Sequence, residues 1–324
     1  MVDVISIIPS WIFLSKSQGD AMNNSNLTPS AFFIIIFLCI IFGGNGVAIK
    51  FGLTGMGPFT SAAIRFAIAV IAIVCWARFR RISLVPSWEQ IRFSLPHCIF
   101  FTLQLGCFHV GFGKTSASHG TLIANILPFV VMILAHFFIP GDRINPAKAG
   151  GVILGFLGVV FLFLDAPDLG EDLKRGDFIV LCAVLFWSCS AVYVKRIISR
   201  FNATQLTLYP MIFCLPFYGG AALWMESPLA VQWNSTLVLA LGYQSVLSAA
   251  VGMVAWNAML NRYGATALHS FVFIIPLVGV VSGIVLLNEP LTQHLLFSVI
   301  CIVVGILSVN LMGREKSKKI SVKV

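Results

Sequence analysis

Ten stretches of about 20 apolar residues, separated by short polar joints, leave this chain few ways to fold. They run near 31–50, 58–77, 94–113, 117–139, 148–166, 177–198, 205–225, 236–260, 265–287 and 292–312. A hydrocarbon layer about 30 Å thick is crossed by about 20 residues of helix rising 1.5 Å each. Nothing in that layer can satisfy a free backbone amide, so each stretch is expected to be a helix. Composition agrees: 58% of residues are hydrophobic and 10% charged, with mean hydropathy +0.95. A soluble domain carries about a quarter of its residues as charges. The expected fold class is therefore an all-α membrane protein of ten transmembrane helices.

Lysine and arginine set the orientation. With the N-terminus inside, 16 of the 21 basic residues fall on inner segments. These include Arg78, Arg80, Arg81 and Arg92, then Lys195, Arg196 and Arg200, and the C-terminal group Arg314 to Lys323. The outer segments hold only Lys50, Lys114, Lys174 and Arg175. This bias places both termini in the cytoplasm, the expected location being a bacterial inner membrane. The net charge of +9 is then an orientation signal, and no nucleic-acid partner is expected. The eight cysteines all lie in apolar stretches without CxxC spacing and read as small buried hydrophobes. No metal-ligand spacing occurs around His109, His119 or His136, so no metal or cofactor is expected. Residues 1–30 stand apart as a dispensable extension, with translation starting at Met1 or at Met22; residues 313–324 form a basic tail.

The chain also repeats itself. Lys114 and Arg262 each open a segment, followed at matched distances by Ala117 and Ala265, then Pro128 and Pro276. The acids Asp142 and Glu289, 14 and 13 residues past the prolines, and the glycines Gly158 and Gly305, 16 residues past each acid, keep the two series in near-register. An acidic linker at 167–176 divides the spans into residues 31–166 and 177–312, five each. An odd number of spans per half inverts the second half, and the expected architecture is two inverted five-helix repeats. Inverted repeats recur in secondary transporters that bind their solute near the midplane.

The motifs are Phe42-Gly43-Gly44-Asn45 with Lys50, then Pro58 and Arg65, Lys114-Thr115-Ser116-Ala117, Pro128, Asp142-Arg143 and Gly158. The second half carries Phe186-Trp187, Trp256-Asn257, Arg262-Tyr263-Gly264-Ala265, Pro276, Asn288-Glu289-Pro290-Leu291 and Gly305. In this order and spacing the sequence resembles the drug/metabolite transporter superfamily, in particular its EamA-like members. The resemblance implies a secondary transporter, and an exporter of amino acids or other small metabolites. Two positions depart from the pattern. Asp142 stands where glutamate is common, and Gly43 stands where the second repeat has Trp187.

Candidate site residues are the polar and aromatic side chains within spans. Asn45, Gln104 and Asn125 can hydrogen-bond a solute, and Tyr193, Trp256 and Phe273 can cover one. Pro128 and Pro276 are expected to kink their helices, since proline removes a donor and clashes one turn back. Arg65 lies about 10 Å into the second span by helical rise. A charge there either serves function or reaches back to the headgroups. Lys114, Asp142 and Glu289, at span ends, read as caps and anchors. Gly151-x3-Gly155 and Gly279-x3-Gly283 are small-residue faces for contact within the fold or in a homodimer. The expected partners are a small-molecule solute and the lipid bilayer. The alternative function is an intramembrane lipid-modifying enzyme, but no clustered acid, base or metal set supports it.

Overall fold

The computed structural model describes residues 28–138, 146–169, 171–227, 230–269 and 271–321. The extension at 1–27 and the Asp142-Arg143 motif lie outside them. The described residues form twelve α-helices and no strand. In order these are α1 (Pro29–Leu53), α2 (Pro58–Phe79), α3 (Trp88–Lys114), α4 (Ala117–Ala124), α5 (Leu127–Phe138) and α6 (Pro146–Leu169). Then come α7 (Glu171–Ile197), α8 (Ala203–Met225), α9 (Ser235–Gly242), a π-helical segment (Tyr243–Gly252), α10 (Met253–His269), α11 (Ile274–Leu287) and α12 (Gln293–Ser321).

Side chains hold the helix starts. Thr28 accepts from the Ala31 amide ahead of α1, with Pro29 in the first turn. Ser87 with Gln90, and Asn202 with Gln205, form capping boxes ahead of α3 and α8. Asn288 ends α11 in the left-handed region at φ 53°.

Seven helical stretches are long and apolar enough to cross a membrane, and three shorter apolar helices cover Ala149–Leu164, Ile274–Leu287 and Gln293–Val309. Large apolar side chains point outward from the bundle, among them Ile71, Ile153, Leu223, Trp224 and Leu239. An aqueous surface does not tolerate so much apolar area, whereas lipid does.

The packing follows small residues. α6 lies along α12, where a Cβ on Gly151 would come within 2.9 Å of the Gly305 carbonyl. Gly158 is as tight against the Ser298 carbonyl, at 3.0 Å. The Gly279–Gly283 face of α11 holds Thr121 and Ser118 of α4. Both small-residue faces are thus filled within the chain. α2 lies along α8. α3 lies against α7, as α9 and the π segment lie against α1. α4 and α5 lie against α7, as α11 lies against α1.

Two spans differ from their expected form. Pro128 and Pro276 were expected to kink continuous helices; instead the helices break just before them. α4 ends at Ala124, and Asn125 and Ile126 form a tight turn in which the Ile126 amide donates to Ile123 O at 3.1 Å. α5 then begins with Pro128 in its first turn. In the second half, Phe271, Ile274 and Ile275 donate three residues back to Leu268, Phe271 and Val272, each at 3.0 Å, as α11 starts at Ile274 with Pro276 in its first turn. Proline fits a first turn because no donor is needed there. Arg262 to Gly264 was expected to be a joint, yet α10 runs through it to His269. Ser116 supplies a capping hydroxyl in the first half, whereas Gly264 offers none.

Candidate functional site

Three of the expected residues flank one crossing. Thr121 of α4 sits against α1, 2.6 Å from a Cβ placed on Gly46, and against Gly279 of α11. Asn125 ends α4 one turn on, and its Nδ2 donates to Thr121 O at 2.8 Å. Asn45 precedes Gly46 at the level of this crossing but lies on the face of α1 that carries Ala48 and Gly52, and it holds Oδ1 buried without a partner. Phe273, at the start of α11, packs against the large core cluster that includes Ile49, Leu122 and Ile123. Both helix breaks therefore meet where α1, α4 and α11 cross.

The other three lie elsewhere. Gln104 is buried in α3 with an unpartnered Oε1. Trp256 packs edge-on to Phe42 at 5.7 Å, in the cluster around Ile35 and Leu38. Tyr193 donates to Phe93 O at 3.0 Å and lines a surface cleft of about 400 Å³ with Trp88, Glu89 and Arg92. Its neighbours are Ile197, Phe201 and Leu206, apart from the crossing.

Carboxylates serve as struts between helices. Asp177 of α7 is 0% exposed, accepts from the Thr115 hydroxyl, and lies 2.9 Å from Nδ1 of His119, itself 2% exposed. Glu289 accepts from the amides of Ala117 at 2.5 Å and Ser118 at 2.9 Å. As a span-end residue it caps a helix, and that helix, α4, belongs to the other half. Glu226 does the same for α2, accepting from the amides of Phe59 and Thr60 at 2.8 Å each and from the Thr60 hydroxyl at 2.7 Å. Helix N-termini carry partial positive charge and favour these anions. Lys50 donates to Thr115 O at 2.7 Å.

A second set of polar groups is buried and unpartnered. It comprises Asn45 Oδ1, Ser61 Oγ, Arg65 Nε and Nη1, Gln104 Oε1, His109 Nε2, Gln244 Oε1 and Ser245 Oγ. They sit on α1, α2, α3 and the π segment. Two further serines stand apart: Ser118 beside Glu289, and Ser298 on α12. Arg65 does not reach the headgroups. It is 4% exposed, with its guanidinium 5.2 Å from the Phe66 ring, and Tyr218 and His109 lie within its electrostatic reach. Sequence reasoning picked out Asn45, Arg65 and Gln104 but missed Ser61 and Ser245. Asp177, directly after the acidic linker, was not among the candidates either. The signal was its place directly before the apolar run that starts at Phe178.

The model for the EamA-like transporter family matches the chain twice, over residues 29–164 and 174–311. A probable amino-acid metabolite efflux pump of Escherichia coli (strain K12) is 26% identical over 300 residues, covering 89% of this chain and 97% of that protein. An uncharacterized transporter of Bacillus subtilis (strain 168), YvbV, is 26% identical over 286 residues, covering 87% and 92%. One solved crystal structure superposes with a TM-score of 0.65 at 18% identity, covering 89% of this chain and 99% of that one. That likeness speaks to the fold alone.

Proposed function

Because the chain belongs to the EamA-like transporter family and is thereby a membrane transporter, we propose that it exports a small organic metabolite, an amino acid or related solute, by alternating access. The observation that carries this reading is the pair of helices broken at matched prolines, Pro128 and Pro276, beside one crossing. Discontinuous helices at corresponding positions of two halves mark the solute site in inverted-repeat transporters. The solute class follows the relatives named as amino-acid metabolite efflux pumps.

In this reading the seven long spans and three shorter apolar helices make ten crossings, with both termini cytoplasmic. Two family matches in one chain support two repeats. The helix pairings support them too, since α3 on α7 is mirrored by α9 and the π segment on α1. The second half is inverted, and rocking the halves opens the interior to each side in turn. Asn45, Asn125 and Phe273 line the path at the breaks. Gln104 and Trp256 flank it, and Tyr193 stands at its cytoplasmic end. The chain works on its solute without covalent chemistry.

Flux of radiolabelled amino acids and related metabolites through proteoliposomes of the purified chain tests this reading. Saturable flux is expected; its absence for every solute would refute it. Reporter fusions after Val324 and within Asp168–Asp172 test orientation. A periplasmic signal at Val324 would refute the ten-span arrangement.

A further inference from the structure

Arg65 carries a charge that the described fold does not balance. A guanidinium placed among apolar helices costs about 3 kcal/mol or more unless something pairs with it. Every acid whose side chain is described is engaged elsewhere. Glu89 pairs with Arg200, Glu171 with Arg175 and Asp172 with Lys114. Asp177 is held by His119 and Thr115, and Glu226 and Glu289 cap helices. Among the described residues, then, the chain supplies Arg65 with no carboxylate.

Several unpartnered acceptors lie on its side of the bundle. His109 Nδ1 lies 2.9 Å from Leu105 O, an acceptor, so that nitrogen carries the proton and Nε2 presents a bare lone pair. Gln244 donates through Nε2 to Ala48 O at 3.4 Å and leaves Oε1 unpartnered. A Cβ on Gly52 would meet both Gln244 Nε2 at 2.7 Å and Ser61 Oγ at 3.3 Å, so these two side chains converge where α1, α2 and the π segment meet. Arg65 lies one helical turn from Ser61 on the same face of α2. Asn45, Ala48 and Gly52 share a face of α1, which brings Asn45 Oδ1 to the same side.

We propose that this cluster is the recognition site for a carboxylate-bearing solute, with Arg65 gripping the carboxylate and His109, Gln244 and Asn45 accepting from the solute's own N–H or O–H groups. The inference rests on the transporter reading and adds a substrate class to it. One guanidinium matches one carboxylate through two parallel hydrogen bonds. A phosphate dianion calls for more positive charge than one arginine brings, and a cationic amine finds repulsion. Amino and hydroxy acids fit: each has one carboxylate and at least one donor.

The test uses the purified full chain, its thermal unfolding midpoint and its flux in proteoliposomes. The probes are the protein amino acids, their amides and methyl esters, the matching 2-hydroxy acids, the matching amines, and inorganic phosphate. Free acids alone should raise the midpoint and move across the membrane. Arg65→Gln should weaken that response roughly tenfold to a hundredfold, and Arg65→Lys should restore part of it. Without solute, Arg65→Met should melt at or above the wild-type midpoint, because it removes an unpaired buried charge. A lower midpoint, or failure to fold, would make Arg65 a structural residue and overturn the proposal. Flux of amides, amines or phosphate equal to that of the acids would overturn it while leaving the transporter reading intact. Absence of flux for every probe would instead refute the transporter reading.

Discussion

Asp177 and Arg65 are both charged side chains buried within the helical bundle, and the fold treats them oppositely. Asp177 is met by a hydroxyl and an imidazole, and it ties α7 to the joint between α3 and α4. Arg65 has two guanidinium nitrogens with no partner, beside other groups in the same condition. A satisfied buried network adds rigidity, and an unsatisfied one is a standing cost. The contrast separates polar groups that hold the bundle together from polar groups that await a solute. Substitutions in the first set should therefore lower stability, whereas those in the second should spare stability and impair transport.

The largest expected effect is at Asp177. Asp177→Ala strands the His119 ring and the Thr115 hydroxyl, and should destabilise the fold by about 3–5 kcal/mol. Thermal unfolding in detergent followed by tryptophan fluorescence reads this; an unchanged midpoint would break the comparison at its strong end. Next are the helix caps. Glu226→Ala and Glu289→Ala each free two backbone donors and should cost about 1–2 kcal/mol, read in the same way.

The sign reverses in the unpartnered set. His109→Phe and Gln104→Leu remove the unpartnered His109 Nε2 and Gln104 Oε1, the former at the loss of the Nδ1–H donated to Leu105 O, and should leave the midpoint within about 1 kcal/mol of wild type or raise it. Solute flux should fall in both. A large drop in midpoint with flux retained would place these residues with Asp177. The smallest effect is at the surface. Lys114 and Asp172 lie 3.8 Å apart and well exposed, so Lys114→Ala should change stability by less than about 1 kcal/mol.

How much of this was legible in the sequence follows the same division. The apolar windows foretold where helices run, because span length is set by the bilayer. Pro128 and Pro276 marked the correct places, but hydropathy does not separate a kink from a break. That difference lies in tight turns made by residues with no turn signature, such as Phe271 and Ile274. Arg65 stood out as a charge in an apolar run. Its lack of a partner depends on which faces α3 and α8 turn toward α2, and that is a tertiary fact. Ser61 and Ser245 were invisible because a serine in a span ordinarily bonds its own helix, as Ser188 does to Val184 O at 2.7 Å. Tyr193 looked like a cavity residue by type, yet its hydroxyl is held by the Phe93 carbonyl at one end of the bundle. Val309 packs beside Gly151, whereas Ile153 and Ile300 on the same two helices face outward.

The most direct test compares three serines of equal burial. Ser61, Ser245 and Ser188 are each 0% exposed, and only Ser188 has a hydrogen-bond partner. Each is replaced singly by cysteine in a chain whose eight native cysteines are removed, and a small water-soluble thiol reagent is applied to proteoliposomes. If the unpartnered cluster opens during transport, Ser61→Cys and Ser245→Cys should react, a free amino acid that is carried should slow the reaction, and Ser188→Cys should stay as inert as a lipid-facing control at Ile153. Equal reactivity at all three serine positions, or none at any, would contradict the account.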